Sequence, residues 1–148
     1  CQQLHAQAQQ LVFTNGCFDL LHPGHIHCLE HAKSFGQTLI VAMNSDQSVH
    51  RLKGEGRPVW NADQRAIMIS SLPAVDFVVE FEEDTPLKLI EAVQPQVLVK
   101  GGDYQPQEVV GYDLIQQWGG RVEIVDLVGD VSTTRIIASW GSLDQHAQ

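Results

Sequence analysis

A chain of 148 residues, of which 43% are hydrophobic and 18% are charged, has the size and composition of one globular domain and not of a disordered or fibrous protein. The formal net charge of −9 argues against a protein that binds a nucleic-acid backbone, because such proteins are normally basic. No apolar run approaches the ~20 residues that a membrane-spanning helix needs. The three cysteines (Cys1, Cys17 and Cys28) lack CxxC spacing, which argues against a disulfide scaffold or zinc ribbon and favours a cytoplasmic location.

Apolar, β-branched runs alternate with helix-like segments along the chain. In chain order, the patterns predict a strand at residues 11–14, a helix at 23–35, a strand at 38–43, a helix at 62–72, a strand at 75–79, a helix at 86–93, a strand at 97–99, a helix at 107–118, a strand at 122–125 and a helix at 132–140. Such alternation is typical of right-handed βαβ units. We therefore expect an α/β fold of the Rossmann-like, doubly wound type, with a five-stranded parallel sheet and helices on both faces. It forms one domain at residues 11–140, between tails at 1–10 and 141–148.

Several residues predict how the helices begin and which way they face. Asn61 is the expected N-cap of the second helix, and Thr85 is the expected N-cap of the third, with Pro86 at its first position. The second helix should turn four residues toward the core: Ala66, Ile67, Ile69 and Ser70.

Ligands of such sheets bind beyond the carboxyl ends of the strands. The segments that follow four of the predicted strands, at residues 15–25, 44–46, 100–103 and 127–134, are rich in Gly, Asp, Ser, Thr or His. There is no GxGxxG after the first strand and no GxxxxGK[ST] anywhere, so neither a dinucleotide fingerprint nor a P-loop is present. Any phosphate chemistry must use other residues.

The sequence His22-Pro23-Gly24-His25 opens the first predicted helix. Pro23 favours the start of a helix, and Gly24 lets an anion approach the free backbone N–H groups of the first turn. His22 and His25 are three residues apart, so both rings can lie over the same helix end and donate hydrogen bonds to phosphate.

Two other interpretations remain open. His22 and His25 could be half of a zinc site with Cys17 and Asp19 nearby, although the spacing fits no common zinc pattern. Four cationic residues lie between positions 51 and 65: Arg51, Lys53, Arg57 and Arg65. This segment could bind a small anion, or it could be a solvated surface loop.

The segments TNGCFDLLHPGHIHCLEHAK (residues 14–33) and VSTTRII (131–137) resemble the two signatures of the cytidylyltransferase-like nucleotidyltransferases, HxGH and ISTT. The segments NSDQSVHRLKGEGRPVWNADQRAIMISSL, FEEDTPLKLI and LVKGGDYQP are similar to the adenylyltransferase half of bacterial ADP-heptose synthesis enzymes. The resemblance covers residues 11–138.

This resemblance implies a reaction in which ATP and D-glycero-β-D-manno-heptose 1-phosphate give ADP-heptose and pyrophosphate for the lipopolysaccharide core. The sugar phosphate is largely ionised at pH 7, since its second pKa is about 6, so no general base is needed. Mg²⁺ is expected with ATP, held mainly by phosphates and water, with no protein ligand named. The resemblance also allows a homodimer and implies a separate heptose 7-phosphate kinase upstream.

The resemblance further implies which residues form the site. Three would be catalytic: His22, His25 and Lys53. Thirteen would bind the nucleotide or its phosphates: Thr14, Asn15, Gly16, Cys17, Phe18, Gly24, Lys100, Gly101, Gly102, Asp103, Ser132, Thr133 and Thr134. Five are weaker candidates for substrate binding: Asp19, Asn44, Asp46, Arg57 and Arg65. Two roles stay open for Asp19, which could orient the histidine loop structurally or contact the sugar phosphate.

The sequence departs from one related pattern. Relatives that use CTP and glycerol phosphate commonly carry an arginine five residues before the Ser-Thr-Thr, where this chain has Leu127. This favours ATP and a sugar phosphate, with glycerol-3-phosphate cytidylyltransferase or another HxGH nucleotidyltransferase as the alternative. A non-catalytic nucleotide-binding module is an alternative of another class, and the retention of both histidines and Lys53 disfavours it.

Overall fold

Five strands run through the centre of the fold. They are β1 (Leu11–Gly16), β2 (Thr38–Asn44), β3 (Phe77–Phe81), β4 (Val97–Gly101) and β5 (Arg121–Val125). All pair in parallel, in the order β3-β2-β1-β4-β5. The predicted five-stranded parallel sheet of Rossmann-like type is therefore confirmed.

The computed structural model of the protein describes residues 1–126 and 133–143, with side chains up to residue 139. Seven α-helices and a short 3-10 helix at Pro106–Glu108 lie in these residues. The α-helices are α1 (Gln2–Ala6), α2 (Pro23–Ser34), α3 (Asp46–Lys53), α4 (Ala62–Ser70), α5 (Leu87–Val93), α6 (Tyr112–Gln117) and α7 (Thr133–Leu143). Ser132 and Leu127, on which two of the expectations rest, lie outside the described residues.

Both faces of the sheet are covered by apolar side chains. Because successive residues of a strand point to opposite faces, Val12 packs with Leu29 of α2 on one face, while Phe13 packs with Ile90 of α5 on the other. All seven residues of β2 are buried. Such continuous apolar runs are typical of strands that are covered on both faces.

The strand order places a switch point beside β1. The chain leaves β1 toward β2 on one side, and β4 pairs with the other side of β1. In open parallel sheets the crevice beyond this point is the usual ligand site. The carboxyl ends of β1 and β4 therefore define where the functional side chains should meet.

The helix starts were predicted with mixed success. Asn61 caps α4 as expected, with a capping box in which Gln64 bonds back to the Asn61 backbone. The expected Thr85 cap is wrong, because α5 begins at Leu87 and Pro86 occupies the N-cap position without a side-chain hydrogen bond. The helix predicted at 107–118 is interrupted, because the 3-10 segment ends at Glu108 with extended backbone at Val109, and α6 starts only after its N-cap residue Gly111, whose φ is +99°.

Other elements differ from the predictions in ways that packing explains. Helix α3 was not predicted, and Ser45 starts it by accepting a hydrogen bond from the backbone N–H of Ser48. Residues 2–6 form α1 within the predicted tail, where the ring of His5 bonds to the Val93 carbonyl. Ile67 is 65% exposed and Ser70 is exposed as well, so the predicted inward orientation of these two residues is wrong. Helix α4 buries Ile69, as predicted, together with Arg65.

Candidate active site

A cleft of about 590 Å³ opens beyond the carboxyl ends of β1 and β4. It gathers residues that are far apart in the sequence, from the loop after β1, the end of α3, the end of β4 and the start of α7. Fourteen of the predicted site residues line it: Asn15, Gly16, Cys17, Phe18, Asp19, His22, His25, Asn44, Lys53, Arg57, Lys100, Gly101, Thr133 and Thr134.

Six of the predicted residues are described but do not line the cleft. They are Thr14, Gly24, Asp46, Arg65, Gly102 and Asp103. Thr14 is buried within the sheet between β2 and β4, and Gly24 is buried in the first turn of α2. These two residues support the cleft from behind and do not line it.

The two histidines form a stacked pair at the N-terminus of α2. His22 is the N-cap residue and makes no side-chain cap hydrogen bond, and Pro23 follows it at the first helical position. The ring centroids of His22 and His25 are 3.8 Å apart with an interplanar angle of 29°, and the ring of Phe18 lies 5.3 Å from that of His25. Both imidazoles therefore sit where the helix dipole and free N–H groups favour an anion.

Burial keeps this pair neutral. Desolvation lowers the pKa of His22, and desolvation together with the neighbouring His22 lowers the pKa of His25 to about 4. Neither Nδ1 atom has a hydrogen-bond partner among the residues described. Both Nδ1 atoms are closed off from solvent, so a phosphate in the cleft would have to meet another atom of each ring.

The loop that carries the histidines is also tied to the last helix. The hydroxyl of Thr133, at the first position of α7, donates to the Leu20 carbonyl at 3.2 Å. The N-termini of α2 and α7 thus converge on one cleft, and each contributes free backbone N–H groups and a positive dipole end.

Asp19 anchors the segment that follows α3. Its carboxylate is only 2% exposed, pairs with Arg57 and accepts hydrogen bonds from the backbone N–H groups of Val59 at 2.6 Å and Trp60 at 3.3 Å. All of these partners belong to residues 57–60. This arrangement favours the structural role for Asp19, since its oxygens are already occupied, and it holds Arg57 at the cleft wall.

Arg65 is a structural residue of the same kind. It is 0% exposed, and its guanidinium donates to the carbonyls of Trp60, Cys17 and Asn44 and to the Asp46 carboxylate. These acceptors lie on the loops after β1 and β2 and on the segment before α4. Arg65 therefore holds the cleft loops together and is too deeply buried to meet a substrate. The Asp46 side chain is 44% exposed, but it is paired with Arg65 and does not line the cleft.

Two lysines from different elements line the cleft. Lys53 is the last residue of α3, and Lys100 lies near the end of β4 with its Nζ 3.4 Å from the Asn15 carbonyl. Burial lowers the pKa of Lys100, and the nearby charge of Lys53 lowers it further. Two cations this close favour an anion between them.

Cys17 lines the same centre but is not a nucleophile. Burial raises the pKa of its thiol despite the nearby Lys53, Arg65 and Lys100. The thiol faces the Asn44 amide oxygen at 3.8 Å. The site thus offers hydrogen-bond donors and positive charge, and no activated group that would form a covalent intermediate.

The zinc interpretation has no support in the described part of the chain. No group of three or more His, Cys, Asp or Glu side chains is placed to hold a metal ion there. The histidine rings stack on each other, and the Asp19 carboxylate is bonded to Arg57.

Several lining residues were missed by the sequence analysis. Leu52, Asp84, Thr85 and Pro86 come from the ends of α3 and β3, and four others come from the segment after β4: Tyr104, Glu108, Val109 and Val110. The loop after β3 was the only one of its kind not considered, although the rule about strand ends applied to it equally. The apolar residues carried no sequence signal, because half-exposed valines and tyrosines are common on any surface.

The low pKa of His25 predicts how stability depends on pH. A histidine titrates near 6.5 when unfolded and His25 at about 4 when folded, so the unfolded chain binds more protons between these values. The free energy of unfolding should therefore fall as the pH drops from 7 to 5, by about 1–2 kcal/mol from this residue. Urea denaturation at both pH values should show a smaller loss in His25→Gln than in the unsubstituted protein. Equal losses would show that His25 is not desolvated.

The sequence matches the family model described as cytidylyltransferase-like over residues 13–139. The chain therefore belongs to the cytidylyltransferase-like family, whose HxGH signature the two stacked histidines form. It is 57% identical over 131 residues to the bifunctional protein HldE of Geotalea uraniireducens (strain Rf4), covering 88% of this chain and 27% of that protein. It is 55% identical over 133 residues to HldE of Magnetococcus marinus, covering 90% of this chain and 27% of that protein. The chain thus spans about a quarter of the length of these relatives.

Solved structures agree with this assignment. The lipopolysaccharide core biosynthesis protein of Thermoplasma volcanium superposes with a TM-score of 0.65 at 30% identity, covering 83% of this chain and 99% of that one. Pantothenate synthetase of Thermus thermophilus gives a TM-score of 0.55 at 16% identity, covering 85% of this chain and 59% of that one. The second comparison shows a shared fold alone.

Among the described helices, none has both the length and the apolar character needed to cross a membrane.

Proposed function

We propose that this chain transfers the adenylyl group of ATP to D-glycero-β-D-manno-heptose 1-phosphate, giving ADP-heptose and pyrophosphate. A phosphate oxygen of the sugar phosphate attacks the α-phosphorus of ATP, the bond from that phosphorus to the bridging β-phosphate oxygen breaks, and pyrophosphate leaves. One observation carries the proposal. The stacked His22–His25 pair, the start of α7 and the ammonium groups of Lys53 and Lys100 all meet in one cleft.

The cleft suits a reaction that needs positioning and charge stabilisation rather than a nucleophile or a base. The attacking phosphate is already ionised near neutral pH, and in-line displacement gathers negative charge on the oxygens around the α-phosphorus. His22 and His25 can donate hydrogen bonds to these oxygens from the N-terminus of α2. Lys53 and Lys100 flank the same centre and can hold the two phosphate-bearing substrates together despite their repulsion.

Binding of the triphosphate should change the protonation of the histidines. Their pKa values are lowered by burial, and His25 also by its neighbour. A polyanion in contact with the rings opposes both effects, because a nearby negative charge favours the cationic form. The histidines would therefore take up protons as ATP binds, which places positive charge where the transition state needs it.

Mg²⁺ is proposed to accompany ATP, and the described residues fit an ion that is held mainly by the nucleotide. No cluster of three acidic or imidazole ligands is present in them, and the buried Asp19 carboxylate is taken by Arg57 and two backbone N–H groups. Bound in this way, Mg²⁺ would neutralise part of the triphosphate charge. Side chains of this chain would then contact the phosphates and not the ion.

The choice of the sugar phosphate rests on the relatives. The curated relatives are bifunctional, and this chain corresponds to about a quarter of their length. We propose that it performs the adenylyltransferase step, after a kinase that supplies heptose 1-phosphate precursors. The free thiols Cys1, Cys17 and Cys28 support the proposed cytoplasmic location. A homodimer remains a prediction.

A pyrophosphate-release screen tests the proposal. Each nucleoside triphosphate is combined with sugar phosphates and polyol phosphates, and the product is identified by mass. We expect release from ATP with heptose 1-phosphate and little from CTP with glycerol 3-phosphate, because a site that bonds several hydroxyls rejects a ligand that lacks them. Nucleotide binding without any pyrophosphate release would favour the non-catalytic module instead.

A further inference from the structure

Tyr104 stands out among the cleft residues that no role has yet explained. It lies three residues beyond the end of β4, lines the cleft and is 46% exposed. Its hydroxyl has no hydrogen-bond partner among the described residues. A large aromatic ring left half open inside a polar cleft is a candidate contact for a flat ligand.

The ring is held in place by Gly102. A β-carbon added to Gly102 would lie 2.7 Å from Cε2 of Tyr104, so the missing side chain at this position is what lets the ring pack against the backbone. The φ of Gly102 is +135°, and its N–H donates to the Val125 carbonyl at 3.1 Å. Gly102 therefore lies behind the ring and supports it, which accounts for a glycine that does not itself line the cleft.

The ring belongs to an apolar wall on one flank of the cleft. Val110 is 45% exposed beside it, Val109 lies below in the core, and the nearby Glu108 carboxylate is already bonded to the Gln105 N–H. This flank thus offers apolar surface and few free side-chain donors. Lys100, which we propose to contact the phosphates, lies on the strand that leads into this flank.

The opposite flank of the cleft is lined by polar and charged side chains. It carries Thr85 and the half-exposed carboxylate of Asp84, which also pairs with Arg51, together with Lys53 and Arg57. A polyhydroxylated sugar phosphate matches that flank, because its hydroxyls need polar partners. A nucleobase matches the wall around Tyr104, since every base has a π-face that stacks on an aromatic ring.

We propose that the Tyr104 ring is the stacking platform for the base of the nucleotide, and that Gly102 positions it. The inference rests on the proposed function in that a nucleotide occupies the cleft. It does not depend on which base is used, because stacking tolerates any base.

The test compares Tyr104→Leu and Tyr104→Phe with the unsubstituted protein. Calorimetry gives the Kd of ATP and of inorganic tripolyphosphate, and steady-state assays give the KM of the sugar phosphate. Tyr104→Leu should raise the Kd of ATP by about 10- to 100-fold, while Tyr104→Phe stays within about 2-fold because the π-face remains. The Kd of tripolyphosphate and the KM of the sugar phosphate should not change.

The matched control is Tyr112→Leu, which removes the other tyrosine of the chain, on α6 and outside the cleft. It should bind ATP normally. An unchanged Kd of ATP in Tyr104→Leu would overturn the proposal. So would a rise confined to the KM of the sugar phosphate, or an equal loss of tripolyphosphate affinity. If the protein binds CTP in preference to ATP, the proposed nucleotide substrate is wrong, and the same variants are then measured with CTP. The Kd of CTP in Tyr104→Leu then tests the stacking proposal separately.

Discussion

Replacing His25 by alanine should lower kcat by about 100-fold or more, which is the scale for losing one donor to the transition state. The ring lies at the N-terminus of α2, stacked on His22 and facing the cleft. The variant should remain folded, because the ring lies at the helix start beside the rings of Phe18 and His22 and is not one of the buried apolar residues of the core. Steady-state kinetics gives kcat, and circular dichroism gives the melting temperature.

His31→Ala is the matched control for this prediction. His31 also lies on α2, is exposed and contacts the rings of His27 and Phe35 outside the cleft. It should turn over at the normal rate. Near-normal turnover in folded His25→Ala would remove the histidine from the proposed mechanism.

Lys53→Ala should slow catalysis by about 10²- to 10³-fold, since the ammonium group would stabilise charge that develops between the two substrates. Lys53 ends α3 and lines the cleft. The expected change is in kcat/KM for both substrates, because the lysine is proposed to contact the phosphates of each.

Lys88→Ala is the better control for this lysine. Lys88 lies outside the cleft and pairs with Glu83 at an exposed position. Lys33 is less suitable because its ammonium group joins Asp76 and the Gln37 carbonyl, so its loss would also disturb the fold. If Lys53→Ala and Lys88→Ala give the same rates, the cationic segment is a solvated surface loop.

The sheet was predictable because its signal is local. Runs such as Leu11-Val12-Phe13 are apolar at every position, and a strand buried on both faces needs that pattern. Helix α3 was not predictable from the sequence, because only Ser48 and Val49 of its eight residues are buried and most of the others are polar. Its existence depends on the Ser45 cap and on contacts with residues distant in the sequence, such as the bond from Ser48 to the Glu83 carbonyl.

The site residues differ in the same way. Some can be recognised from their neighbours in the sequence, and others only from contacts with residues far away in the chain. His22 and His25 were found because a helix start places them together within four residues. The structural role of Arg65 was not predicted, and the sequence left Asp19 open between a structural role and a substrate contact, because a charged side chain looks the same in sequence whether it meets a ligand or the backbone. Only the fold reveals that Arg65 has four protein acceptors and that Asp19 is bonded to residues 57–60.

The most direct test of the central claim is the ratio of two specificity constants. We predict that kcat/KM for ATP with heptose 1-phosphate exceeds kcat/KM for CTP with glycerol 3-phosphate, measured as pyrophosphate release by the same preparation. His25→Ala serves as the blank and should abolish most of the release in either case. A ratio that favours CTP and glycerol 3-phosphate would contradict the proposed substrates, while the proposed roles of His22, His25 and Lys53 would survive.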